Sequence, residues 1–349
     1  MPVTRLIREQ TIGETRWVAL DARGVPAALY LERAGDARRA VIGTQAAARV
    51  RRSDAALGGV FVDLGACGEA FLRLQPGETL NDGAAVTVEV AAEARRGKLA
   101  RVRVVDGAAP AGAGPDRWRA SLNGGAAAPV EDAAPGDPAV QAAFDDALAV
   151  SVTLTGGGRL HAERTEALVA ADIDTSGRTA RGGRAANALA VNFAAAEELA
   201  RQMLLRGWGG LAVLDCVGPV NKDAGGQVRT AFLDAFRDLS HRQVKALAPS
   251  PFGLMEISAD WQLTPLAERL RDPDGRDSPE TMALGGLRQL EAAARQARMG
   301  RLCLTLPEAA HAWLGASGLN AEARLADVYG ARLTIEGGGA DSATVRAVP

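Results

Sequence analysis

The sequence predicts a mixed α/β (α+β) chain of several packed units: a small β-barrel, an α/β half after it, and a small α+β unit at the end. Three observations carry this reading. Residues 41–105 hold short strand-like runs punctuated by Gly, Pro and Asp. Between residues 149 and 247 short apolar runs alternate with amphipathic helical periodicity. The length, 349 residues, exceeds the usual size of one domain.

Within the first region, residues 60–64, 71–74, 85–90 and 99–105 read as strands of the barrel. Residues 106–141 are dense in Ala, Gly and Pro without a sustained apolar period, which predicts a linker. Residues 149–155 and 159–163 flank Gly156, Gly157 and Gly158 as a hairpin, and 167–173 reads as a buried third strand. An amphipathic helix over 192–206 stops at Gly209 and Gly210. A short apolar strand (211–214), a helix (224–239) and another strand (243–247) follow. After a polar break at 271–280, a helix near 287–297 and strands near 302 and 331–336 form the terminal unit. The predicted units are therefore 1–40, 41–105, the linker 106–141, 142–270 and 271–349.

Composition narrows the chemistry. No apolar run reaches the ~18 residues of a membrane helix, and the N-terminus lacks the apolar core of a secretory signal, so a cytoplasmic protein with no membrane partner is expected. Cys67, Cys216 and Cys303 form no CxxC pair and encode neither a disulfide framework nor a thiolate zinc site. The three histidines, His161, His241 and His311, lie far apart in sequence, so acid–base chemistry is expected to rest on carboxylates. A net charge of −2 excludes a uniformly basic nucleic-acid coat, although residues 1–105 carry 16 Lys and Arg against 12 Asp and Glu.

Two carboxylates end apolar strands: Asp172 follows 167–171 (ALVAA) and Asp215 follows 211–214 (LAVL). At the ends of neighbouring strands they could converge on one hard cation, since Mg²⁺ is typically held by one or two carboxylates, water and substrate phosphate. The bland alternative is that each opens a turn. Between them lies 176–184 (SGRTARGGR), a Gly-rich loop whose Arg178 and Arg181 either grip phosphates or are simply solvated.

Five ordered blocks resemble the catalytic core of the ribonuclease E/G family: 165–174 (TEALVAADID), 181–183 (RGG), Asn192 with 195–202 (AAEELARQ), 209–215 (GGLAVLD) and 252–256 (FGLME). The resemblance implies that Asp172 and Asp215 bind Mg²⁺, or Mn²⁺ in its place, in a deoxyribonuclease I-like half, with Asp174 standing where the family has a supporting asparagine. It likewise implies that 41–105, with 59–65 (GVFVDLG) and 69–72 (EAFL), is an S1-type OB-fold in which Phe61 and Phe71 stack on bases. Arg95, Arg96, Lys98, Arg101 and Arg103 would then contact phosphates. Residues 1–40 correspond to a remnant of a ribonuclease H-like subdomain. The family's 5′-end sensor and its cysteine-held zinc link have no counterpart, which implies a zinc-free monomer or a dimer formed otherwise. Gly218 replaces an often acidic position and 258–261 (SADW) a basic segment. The expected activity is metal-dependent endonucleolytic hydrolysis of single-stranded RNA. An RNA-binding adaptor without turnover and a nuclease that also cuts DNA are the alternatives.

Overall fold

The computed structural model describes residues 1–105, 112–179, 182–339 and 341–349. Its first layer is an antiparallel meander, β1 (Val3–Thr11), β2 (Glu14–Asp21) and β3 (Pro26–Arg33), in a four-stranded sheet of order β3-β2-β1-β9. The barrel follows: β4 (Gln45–Asp54), β5 (Gly59–Asp63), β6 (Glu69–Arg73), β7 (Ala85–Ala92) and β8 (Ala100–Val104), closed in the order β4-β5-β6-β8-β7. Alternation decides its inside, because successive side chains of a strand point to opposite faces. Val60, Val62, Ala70, Leu72, Val88, Val90, Ala100 and Val102 face inward and are buried.

The segment expected to be a linker is structured over much of its described length. Residues 106–111 lie outside the described residues, but α1 (Pro115–Ser121) and β9 (Val130–Ala133) follow, and β9 pairs in parallel with β1. Trp118 anchors this stretch: it is buried and stacks on Tyr30 at 5.6 Å between ring centroids. The helix α2 (Pro138–Leu148) starts at Asp137, whose side chain accepts from the backbone N–H groups of Ala139 and Val140, with Pro138 in the first turn. Its Val140, Ala143, Phe144 and Ala147 pack on Val18, Leu20, Leu29 and Leu31.

The central unit is a six-stranded mixed sheet, order β10-β11-β12-β13-β15-β14. Its strands are β10 (Ser151–Thr153), β11 (Arg159–Arg164), β12 (Val169–Asp174), β13 (Gly210–Asp215), β14 (Val244–Ala246) and β15 (Leu254–Ala259). The helices α3 (Arg184–Leu205) and α4 (Lys222–Leu239) bury one face, contributing Ala195, Leu199, Val228 and Phe232 against Leu160, Val169, Ala171, Leu214, Met255 and Ile257. The other face presents Ala170, Asp172, Leu211, Asp215, Leu254, Glu256 and Ser258 to solvent.

The terminal unit comprises α5 (Leu266–Leu270), α6 (Pro279–Gln296), β16 (Arg301–Pro307), α7 (Glu308–Ala316), α8 (Ala321–Tyr329), β17 (Leu333–Gly338) and β18 (Thr344–Val348), with sheet order β17-β16-β18. It docks on the first sheet. Gly13, in the β1–β2 turn, has φ +82°, and a Cβ there would lie 2.8 Å from Leu284 and 2.9 Å from Leu319, so both conformation and space require glycine. A buried ionic network closes the junction: Glu14 is paired with Arg33 (2.9 Å) and Arg288 (2.6 Å), Arg16 with Glu9 (2.5 Å), and Glu291 accepts the N–H of Ile12 (2.8 Å). Among the described residues no helix is long and apolar enough to cross a membrane.

Candidate active site

Strands β12 and β13 run parallel, with Val169, Ala170 and Ala171 opposite Ala212, Val213 and Leu214. Asp172 and Asp215 are the next residues of each strand, so the same register brings them side by side. Both point away from the buried face, because Ala171 and Leu214 point into it, and both are exposed. Neighbouring strands lie about 4.8 Å apart, so the two carboxylates stand one strand spacing from each other on an open sheet surface.

The surroundings hold Asp215 rigidly. Asn192 of α3, almost fully buried, donates to Val217 O (3.0 Å) and accepts from Val217 N (2.9 Å), clamping the chain just after the strand. Cys216 N donates to Gly253 O (3.0 Å), extending the pairing with β15 beyond the opposed Asp215 and Leu254. Burial, and then the neighbouring Asp215 charge, push the Cys216 thiol up to about 12, so it stays protonated at neutral pH and is no nucleophile.

On the other side of Asp172, its antiparallel partner across the β11–β12 ladder is His161, and Asp174 faces Arg159 in the same way. His161, Asp172 and Asp215 thus form a row across three adjacent strands on the open face. The wide sequence separation of the histidines hides this placement; alternation along the hairpin strand is the signal that could have found it. Asp174 acts locally, where its two oxygens accept from Ser176 N (2.8 Å) and Ser176 Oγ (2.7 Å), which hold its carboxyl below the usual range. Arg178 donates from Nη1 to Thr155 O (3.2 Å) and Gly157 O (2.8 Å), tying the loop after β12 to the triple-glycine turn. Arg181 lies outside the described residues.

Among the described residues no three His, Cys, Asp or Glu side chains converge into a metal cage. Asp172 and Asp215 alone nevertheless suit a hard divalent cation that keeps water and substrate oxygens as its remaining ligands, the usual habit of Mg²⁺.

The barrel carries the second set of expected residues on its outer surface. Phe61 and Phe71 are cross-strand partners in edge-to-face contact, 5.3 Å apart at 68°. A Cβ on Gly59 would lie 2.5 Å from Phe71 Cζ, so glycine lets that ring lie across β5. The two rings are not equivalent. Phe61 is only 9% exposed beneath Arg52, whose Cζ stands 3.7 Å from the ring centroid, whereas Phe71 is half-buried. We expect Phe71→Ala to weaken single-strand binding by about 1–3 kcal/mol with stability nearly retained, and Phe61→Ala to lower stability. Titration of labelled RNA alongside denaturation of each variant checks the split.

The basic run also divides. Arg96 and Lys98 are exposed at the tip of the β7–β8 turn, where Arg96 N donates to Glu268 Oε2 (2.6 Å). Arg103 is paired with Glu89 (3.1 Å). Arg95 is engaged by an aromatic ring: its guanidinium lies 4.4 Å from the Trp261 ring centroid, which Arg164 also approaches at 5.3 Å. Burial, then Arg101 and Arg164, lower the Arg95 pKa. The Trp261 of the divergent segment 258–261 thereby joins the barrel to the central sheet. Gly210 (φ +78°) makes room, since a Cβ there would meet Trp261 Nε1 at 2.8 Å.

The chain matches the model described as the Ribonuclease E/G family over residues 136–261. It is similar to ribonuclease E of Haemophilus influenzae, with 35% identity over 120 residues covering 34% of this chain and 13% of that protein. Ribonuclease E of Escherichia coli is 33% identical over 120 residues, 34% of this chain and 11% of that protein. The Synechocystis ribonuclease E is 30% identical over 152 residues, 43% of this chain and 22% of that protein. The likeness therefore spans under a quarter of the length of each of these relatives.

Proposed function

We propose that this protein is a metal-dependent endoribonuclease acting on single-stranded RNA. The observation that carries this reading is the pairing by register of Asp172 and Asp215 on an uncovered sheet face, inside the segment that matches the family. The two carboxylates would hold Mg²⁺, which when bound supplies Lewis-acid polarisation of a phosphodiester and a more acidic water. Asn192 fixes the backbone behind Asp215, and the Asp174–Ser176 turn fixes the loop beyond Asp172, so the carboxylates keep their relative position without rearrangement. His161, on the row with them, places an imidazole N–H donor beside the substrate's path.

The barrel's strand order supports reading it as an OB-fold, a module that binds single strands on aromatic faces beside basic side chains. Phe71, Arg96 and Lys98 are then its RNA contacts. A second reading, an RNA-binding adaptor without turnover, draws on the sparse free cations: Arg95 is stacked on Trp261 and Arg103 is paired. The exposed Asp172 and Asp215 favour the enzyme, because neither makes a structural hydrogen bond or ion pair among the described residues.

Between the barrel and the central sheet the described residues offer little on which to build a 5′-end preference. Arg117 pairs with Glu89 (2.9 Å), and Arg119 is engaged with the carbonyls of Ala126 and Ala128. Cleavage of RNAs carrying a 5′-triphosphate, a 5′-monophosphate or a 5′-hydroxyl is therefore expected at similar rates with Mg²⁺, and not at all with EDTA. A monophosphate preference of about tenfold, worth about 1.4 kcal/mol, would show a terminal-phosphate pocket elsewhere. Binding without cleavage of any of the three would select the adaptor.

A further inference from the structure

Phe252 is, among the described residues, the only aromatic side chain left largely exposed, at 89%. It sits in the turn leading into β15, and that turn is tightly held. Ser250 N donates to Leu254 O (3.0 Å), Gly253 N to Ser250 O (2.8 Å) and Phe252 N to Ser250 Oγ (3.3 Å). The same turn abuts the carboxylate pair. Leu254 is opposite Asp215 in register, and Gly253 (φ +87°) comes so close that a Cβ there would lie 3.7 Å from Asp215 Oδ1. An exposed phenylalanine on a rigid turn forfeits apolar burial, which asks for a partner.

The neighbourhood indicates which partner. Leu254 and Leu247 leave further apolar surface exposed beside the turn, and Leu211, opposite Ser258, adds more towards the far end of the same face. On the same open face Lys245 and His161 have no hydrogen bond or ion pair among the described residues, so a phosphate chain crossing the face meets free donors. A polyanion with flat apolar side groups satisfies both the ring and Lys245. We infer that Phe252 is the platform on which the unpaired base next to the scissile phosphate stacks, making it a positioning residue for the strand being cut. This rests on the nuclease reading above and adds a subsite on the catalytic half itself, separate from the barrel.

The test has two arms. In the first, a short RNA whose cut site has been mapped with the unaltered protein is compared with versions lacking the base on either side of that site. Removing one of these bases is expected to slow cleavage by about tenfold or more, as loss of one stacked base should. Phe252→Ala should slow the intact RNA to the same extent and the base-lacking RNA no further, while Phe252→Tyr restores the rate. Equal losses for Phe252→Ala on both substrates, or no loss, would overturn the assignment. The second arm needs no cleavage: in EDTA, the indole fluorescence added by Phe252→Trp should be quenched by single-stranded RNA but not by double-stranded RNA. An unaltered signal would overturn the stacking, and so would a Phe252→Ala variant whose only change is a fall from dimer to monomer mass. Failure of the nuclease reading shows separately, as uncut RNA with the quenching intact.

Discussion

Asp172→Asn and Asp215→Asn are each expected to lower RNA cleavage by about 10³-fold or more while leaving RNA affinity within about twofold. A cation held by this pair would be worth several kcal/mol of transition-state stabilisation, each ~1.4 kcal/mol being tenfold in rate. Both carboxylates are exposed and make no side-chain hydrogen bond or ion pair among the described residues, so the substitution removes charge without opening a cavity or stranding a partner. Single-turnover rates and equilibrium binding for each variant separate the two quantities. Preserved Mg²⁺-dependent cleavage in both variants would remove the pair from the mechanism.

Glu14→Ala is expected to destabilise the protein by about 3–5 kcal/mol, the usual cost of breaking a buried ion pair from one side. The carboxylate is buried with Arg33 and Arg288 on it, and its loss would leave Arg288 without its ion-pair partner and Arg33 with Glu280 alone at the seam between the first sheet and α6. Burial alone would push the Glu14 carboxyl up, but Arg33, Arg288 and Arg16 outweigh it and hold the group below its usual range. A carboxylate depressed on folding stabilises the fold above its unfolded pKa and ceases to do so as pH falls through its folded one. Denaturant unfolding at neutral pH should therefore show the full deficit for Glu14→Ala, and the deficit should shrink in acid below the ordinary carboxylate range. A deficit that stays constant into acid would assign the loss to packing.

The central sheet is legible in the sequence because its signals are local. Apolar runs that stop at an aspartate mark β12 and β13, and helical periodicity marks α4 closely but α3 only from Asn192, eight residues after its start at Arg184. The barrel's inward alternation marks β5 to β8. Its remaining strand, β4, buries only Ala48 and Val50 and carries Arg49, Arg51 and Arg52, so little apolar period announces it. The stretch after residue 111 reads as a linker but is not one, since its Ala, Gly and Pro content hides a fold that depends on Trp118 meeting Tyr30 and on β9 pairing with β1, far earlier in the chain.

Within the site, the carboxylate pair can be proposed from sequence, but its company cannot. His161 becomes a neighbour of Asp172 only through strand register. Arg95 looks like a groove cation until Trp261, far along the chain, is found beneath it. Phe61 and Phe71 read alike in sequence, and only the Arg52 guanidinium over one ring tells them apart. The Arg95 contact spans the chain and the other two rest on cross-strand register within a hairpin, neither of which composition and period alone encode.

Asp172 and Asp215 are held to support hydrolysis of internal phosphodiester bonds in single-stranded RNA. Incubation of the protein with a circular single-stranded RNA, followed by analysis of the product ends, tests this most directly. Linear fragments with 5′-phosphate and 3′-hydroxyl ends, formed with Mg²⁺ and absent with EDTA, are the expected result. Circles left intact with Mg²⁺, or fragments with 5′-hydroxyl ends made through the RNA's own 2′-hydroxyl, would contradict it.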